Sequence, residues 1–297
     1  MPIDLTRIDQ RLIEAVRTGA LVPFIGSGVS RHATTADPKA FPTWRDLLKE
    51  LQELAEEKEF ISHDERIQID ELVTQGKFLM AAQALRSAIP PDLLDRLFHD
   101  RFQPSDARPG QLHRSLFHLK VPLIITTNYD FLLEDAYAEE YRRSAQNLTY
   151  KEAAVVQSLL QRHQQFQDRP SIFKIHGSAH TPGEAILSEL DYRQLLYREP
   201  GYRMILSAVF VMKVVLMLGF SFEDTEIRLV LESIRDSLKY RSAPDYIVLP
   251  KNARNSVERK RWRQDFGIET IEYEPSPGHP ELVQLVDFLA SHLPLTP

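Results

Sequence analysis

Six short buried-type runs constrain this chain most: residues 21–25, 123–127, 171–175, 214–218, 246–249 and 269–271. Each is too short for a core helix, and each is separated from the next by stretches of helical periodicity. Strands covered on both faces read as continuous apolar runs, and helical connections between them make a parallel sheet. The pattern predicts an α/β fold: a doubly wound, Rossmann-like, mostly parallel sheet. A long helical stretch, about residues 43–118, separates the first run from the second. Within it, Thr43-x-x-Asp46 and Ser62-x-x-Glu65 have capping-box form, and Pro90-Pro91 separates two helices. The expected organisation is a Rossmann-like domain of residues 1–42 and 119–297, with residues 43–118 as a helical insertion. Further amphipathic helices are expected over residues 6–20, opened by Thr6-x-x-Asp9, and over residues 280–292.

Composition narrows the chemistry. None of the 297 residues is cysteine, which excludes disulfides, thiolate zinc or iron–sulfur sites and a cysteine nucleophile. The formal charge of −6 argues against a primary nucleic-acid binder. One basic cluster stands against that average: Arg254, Arg259, Lys260, Arg261 and Arg263 around Trp262. It reads either as a solvated helix face or as a surface for phosphate and a stacked base, the former being the expectation. The N-terminus has no basic segment followed by an apolar one, and the longest apolar run is far too short to span a bilayer. A cytoplasmic protein without a membrane association is expected.

Ligands of open α/β sheets bind beyond the carboxyl ends of the strands, so the residues following each run are the candidates. After the first come Gly26-Ser27-Gly28-Val29-Ser30, whose glycines allow a close approach to a pyrophosphate. Arg31 stands where the third glycine of a dinucleotide fingerprint belongs, so an ordinary strand-to-helix turn is an equal reading. After the second come Thr126-Thr127-Asn128-Tyr129-Asp130, suited to a ribose or an amide, with Asp130 alternatively a helix cap. The third ends in Lys174-Ile175-His176-Gly177; His176 is a candidate general base with room beside it, or a structural histidine. The fourth ends in Gly219-Phe220-Ser221, where Ser221-x-x-Asp224 also has the form of a capping box. His180 follows His176 at four residues, but nothing at ligand spacing completes a metal site.

Taken in order, Phe24-Ile25-Gly26-Ser27-Gly28-Val29-Ser30, Pro42-Thr43-Trp44-Arg45-Asp46-Leu47-Leu48, Thr126-Thr127-Asn128-Tyr129-Asp130, Lys174-Ile175-His176-Gly177 and Gly219-Phe220-Ser221-x-x-Asp224 resemble the sirtuin-like NAD-hydrolase family of bacterial anti-phage defence. The resemblance covers about residues 20–234. It implies an NAD+ glycohydrolase releasing nicotinamide and ADP-ribose, with His176 and Asn128 catalytic. By the same resemblance Gly26, Ser27, Gly28 and Ser30 line the NAD phosphates and ribose, beside Thr127. Gly219 and Ser221 contact the adenosine half, and Asp130 supports the Asn128 loop. Ser27 stands where the family usually has alanine. The deacylase branch of the sirtuins carries a four-cysteine zinc module and a Gly-Ile-Pro-Asp-Phe-Arg segment. This chain has no cysteine, and Arg31-His32-Ala33-Thr34-Thr35 follows its turn, so no metal and no deacylation are expected.

Two other readings stay open: a sirtuin-type deacylase, and a non-catalytic module sensing NAD or a nucleotide. Little chain follows the last helix, so control is expected from homo-oligomerisation or a protein partner. The resemblance suggests a HerA-type ATPase or a short Argonaute. The insertion, expected to lie outside the nucleotide-binding sheet, is the candidate interface, although its apolar stripes also suit an internal core.

Overall fold

In the computed structural model, which describes residues 3–152, 154–156, 169–220 and 243–294, the first strand is the middle of the sheet. Seven strands are described: β1 (Leu21–Ile25), β2 (Leu123–Thr126), β3 (Gln146–Thr149), β4 (Ser171–Lys174), β5 (Val214–Leu218), β6 (Asp245–Pro250) and β7 (Ile268–Tyr273). They lie in the order β3-β4-β2-β1-β5-β6-β7, and every pairing is parallel. This is the doubly wound Rossmann-like sheet the sequence predicts. From β1 the chain winds outward to β2, and from β5 it winds the other way to β6. The crevice between the carboxyl ends of β1 and β5 is therefore the topological switch point.

The apolar runs are continuous because each strand feeds two cores. Alternate residues of β1 and β5 divide cleanly: Leu21, Ile25, Val214, Leu216 and Leu218 face one layer, and Val22, Phe24, Val215 and Met217 the other. The first layer contains α1 (Gln10–Arg17), α7 (Gln111–His118), α8 (Leu132–Tyr141) and α12 (Pro280–Ala290). The second contains α9 (Glu189–Arg198), α10 (Pro200–Met212) and α11 (Ser256–Phe266). The four-residue α2 (Ser27–Ser30) follows β1 directly.

Between β1 and β2, α3 (Trp44–Glu57), α4 (His63–Thr74), α5 (Phe78–Ala88) and α6 (Pro91–Phe102) enclose a third core around Leu48, Leu51, Leu85 and Phe98. Both predicted capping boxes form: Thr43 and Asp46 at α3, Ser62 and Glu65 at α4. Helix α7 packs with α8 and α12 on the sheet, away from this third core. The third core is not separate from the strand-end loops either, for Tyr129, Ala179, Ala185 and Leu187 belong to it.

The predicted N-terminal helix differs at its start. Asp9, not Thr6, is its N-cap, with Oδ1 accepting the Arg11 N–H at 2.9 Å. Thr6 instead belongs to a 3₁₀ turn, Leu5–Arg7, capped by Asp4. The basic run becomes α11, a helix face whose arginines meet carboxylates: Arg259–Glu272 at 2.7 Å, Arg261–Asp265 at 3.2 Å and Arg263–Glu269 at 2.8 Å. Trp262 is buried in the second core, so its ring is not presented to a base. Among the described residues no helix is long and apolar enough to cross a membrane.

Candidate active site

The switch point is closed by backbone. The Gly28 N–H donates to the Gly219 carbonyl at 2.9 Å, and the Gly26 N–H to Leu218 O at 2.8 Å. A β-carbon on Gly26 would lie 2.7 Å from Gly219 O, and one on Gly219 would lie 2.6 Å from Val29 N. Gly219 also has φ +74°, which an L side chain rarely adopts. Glycine is thus required on both sides of the seam, whatever ligand sits above it.

Above the seam runs a cleft of about 850 Å³, a size suited to a dinucleotide. Its floor follows the carboxyl ends of six strands, from His176 after β4 to Tyr273 at the end of β7. Ser27, Gly28, Ser30, Thr127, Asn128, Asp130, His176 and Gly219 all line it. Gly26 lies beneath, where its carbonyl holds Asn128. Ser221 and Asp224 fall outside the described residues.

Asn128 is fixed by its nitrogen. Nδ2 donates to Gly26 O at 3.0 Å and to Ser30 Oγ at 2.8 Å, and the Asn128 N–H donates to Thr126 Oγ1 at 3.0 Å. A carbonyl cannot donate, so the side-chain amide must present nitrogen to Gly26. That leaves Oδ1, a buried oxygen without a hydrogen-bond partner, in a residue lining the cleft. Ser30 passes its own proton on, Oγ to Asp130 Oδ2 at 2.6 Å, while Asp130 Oδ1 accepts the Leu132 N–H at 3.1 Å. Asp130 is therefore both the helix-start acceptor and the anchor of the Ser30–Asn128 chain. The N-cap position of α8 is Phe131, not Asp130.

His176 is buried, with the Tyr192 hydroxyl 3.2 Å from Nε2 and the Tyr192 ring edge-on at 5.2 Å between centroids. Gly177 beside it has φ +85°, and a β-carbon there would meet Glu184 O at 2.9 Å. The glycine lets the chain turn sharply and return the His176 carbonyl to the Ile186 N–H at 2.9 Å.

The insertion supplies a wall that the strand-end rule alone does not reveal. Thr43, Trp44 and Phe102 line the cleft, and Phe41 and Pro42, just before the insertion, extend that wall. Its reach is explained by Tyr129, which packs edge-on against Phe98 and Phe102, each at 5.2 Å, and donates to Ile186 O at 2.6 Å. Pro250, Ala253, Arg254 and His279 complete the far end. Extending the strand-end rule to the last two strands would have found these four.

Two histidines near the cleft are held below the usual imidazole range. Burial pushes His113 down to about 4, against the pull of Asp130, and its Nδ1 accepts the Gly110 N–H at 3.1 Å. Burial also lowers His32, helped by the nearby His279. Among the described residues, no group of three His, Asp or Glu side chains is placed to hold a metal ion.

A parallel sheet whose switch point meets glycine on both sides, with an asparagine and a histidine lining one cleft, defines a Rossmann-like α/β domain. The chain belongs to the SIR2-like domain family, whose family model matches residues 122–271. It is similar to proteins named NAD(+) hydrolase ThsA. The one from Enterococcus faecium is 25% identical over 245 residues, 82% of this chain and 45% of the relative. The one from Acinetobacter baumannii (strain 532279) is 24% identical over 245 residues, 81% and 44% of the two chains. The one from Bacillus cereus (strain MSX-D12) is 29% identical over 146 residues, 49% and 29%. The chain spans no more than half the length of the curated relatives it matches.

Proposed function

We propose that this chain hydrolyses NAD+ at the nicotinamide–ribose bond, and that Asn128 and His176 carry the reaction. The observation that carries the reading is Asn128 Oδ1: among the described residues, a buried acceptor without a hydrogen-bond partner, in a residue that lines the cleft and whose amide nitrogen is tied twice. The name shared by the relatives supports the same activity.

The seam and the catalytic pair divide the cleft. Gly28, Ser30 and Gly219 line the cleft at the switch point, where they would meet the pyrophosphate and its riboses. The nicotinamide riboside then lies over β2 and β4, beside Asn128 and His176, and the adenosine half toward Pro250 and Arg254. Cleavage breaks the bond between C1′ and the pyridinium nitrogen, and the bonding electrons neutralise the ring. The leaving group needs no proton, so the protein must position the sugar and deliver water. Asn128 Oδ1 accepts a hydrogen bond from that water or from a ribose hydroxyl. His176 takes the proton released as the new C1′–oxygen bond forms. Water and NAD+ give ADP-ribose, nicotinamide and one proton; a cyclised ADP-ribose is the alternative product if a ring nitrogen of the adenine replaces water.

Nicotinamide release by the purified chain tests this, alone and with the protein encoded beside it. Asn128→Ala and His176→Ala should each lower the rate by a hundredfold or more, on the order expected for a lost acid–base or orienting group. Turnover surviving both changes would remove these residues from their roles. Turnover seen only with an acylated peptide would favour deacylation; NAD binding without turnover would favour a sensing module. We further propose a cytoplasmic enzyme of anti-phage defence, homo-oligomeric or governed by a partner such as a HerA-type ATPase or a short Argonaute. The mass of the purified chain in solution tests the first of these: a monomer shifts the weight to a partner. On the same reading residues 1–42 and 119–297 form the catalytic domain, with 43–118 inserted.

A further inference from the structure

Lys174, the residue two before His176, has no part in the chemistry above, yet it is 1% exposed. A buried ammonium is costly unless its protons are all taken, and a side chain of the same length without charge would fill the space more cheaply. Its contacts show what holds it. Nζ donates to the backbone carbonyl of Asp130, lies 3.2 Å from Glu134 Oε1 and sits 4.5 Å above the Phe131 ring. Lys174 closes β4 opposite Thr126, the last residue of β2, so its side chain leaves the sheet level with the Asn128 loop.

That loop is stitched to the His176 segment at two successive carbonyls. Tyr129 O accepts the Ala179 N–H at 3.0 Å, and Asp130 O accepts Lys174 Nζ. One stitch is backbone and survives any substitution; the other depends on a single side chain. The Asp130 side chain anchors Ser30, which anchors the Asn128 amide.

We infer that Lys174 is a positioning residue: its buried ammonium pins the Asp130 carbonyl and so sets where Asn128 Oδ1 stands relative to His176. Its effect on catalysis rests on the hydrolase reading; its effect on the loop does not. A buried Lys174–Glu134 pair serving only to seat α8 would stabilise the fold without touching Asn128.

The experiment separates these. In the full chain, Lys174→Met should lower kcat for nicotinamide release by roughly ten- to a hundredfold, the range expected for a misplacement of about 1 Å, with KM for NAD within about threefold. Lys174→Arg, which keeps the charge, should recover much of the loss. In an Asn128→Ala background, Lys174→Met should cost less than about threefold, because its route to the reaction is already gone. Hydrogen exchange should quicken at residues 127–132 and stay unchanged in β1 and β5. Where Lys174→Met fails to fold, Lys174→Met with Glu134→Gln removes both charges and takes its place. A kcat within twofold of the parent, an equal loss in both backgrounds, or unchanged exchange at 127–132 overturns the inference. A parent chain that releases no nicotinamide refutes the hydrolase reading instead, and the exchange measurement then decides Lys174 by itself.

Discussion

Tied at its nitrogen and open at its oxygen, Asn128 tolerates no exchange of its two amide ends. Asn128→Asp sets a carboxylate oxygen against the Gly26 carbonyl, where Asn128→Ala merely leaves that carbonyl with the Val29 N–H as its donor. The aspartate variant should therefore melt lower than the alanine variant at pH 7.5. The gap should narrow toward pH 5, since a protonated carboxyl can again donate. A second residue makes the fold less stable in acid. His113 titrates near 4 when folded against an ordinary 6.5, so the unfolded chain binds the extra proton between those values. Its contribution is intact above pH 6.5 and is lost as pH falls to 4, amounting to about 3 kcal/mol. His113→Gln, which can still accept the Gly110 N–H, should flatten the fall of urea stability between pH 7 and 5; an unchanged slope would contradict the assignment. At this scale the sequence was legible where a residue followed a strand. Ser30, Asn128, Asp130 and His176 were found that way and do share one cleft. Lys174 and Tyr129 stand in the same motifs, but their contacts are with Asp130 O and with Phe98 and Phe102, partners that spacing does not reveal.

Among the elements, those with chemistry at their ends were readable. Thr43/Asp46 and Ser62/Glu65 are local boxes whose partners lie three residues apart, and both formed as written. Thr6/Asp9 failed because Asp9 has a nearer use, gripping both the Arg11 amide and its guanidinium. The strand β3 escaped notice because it is an edge, polar except for Leu148. The insertion's place was the larger surprise. Expected beside the sheet, it reaches over the cleft through α6, whose Phe98 and Phe102 clasp the residue between Asn128 and Asp130. Phe102→Ala should cost about 3 kcal/mol in urea unfolding, as for a large buried ring. It should also lower nicotinamide release in excess of any folded fraction lost; an unaffected specific rate would uncouple the insertion from the loop.

For the whole molecule, the seam between β1 and β5 is where the two halves of the sheet meet. Gly219→Ala forces φ +74° on an L residue and drives a methyl to 2.6 Å from Val29 N. A loss of at least about 2 kcal/mol is expected from the backbone conformation alone, before the clash is counted. A melting temperature unchanged by that substitution would show that the seam opens freely.

The central position of β1 also sets a timetable for synthesis. Leu21 to Ile25 must pair with Val214 to Leu218, strands roughly 190 residues apart along the chain. At about 5–20 residues per second, the first strand emerges from the ribosome some 10–40 s before β5 exists, with β2 arriving about halfway through. During that interval five buried-type residues wait with at least one flank unpaired, and the helices of the insertion have time to begin forming first. The helices α3 to α6 still await Tyr129, Ala179, Ala185 and Leu187 to complete their core, and β1 is the segment a chaperone would shield.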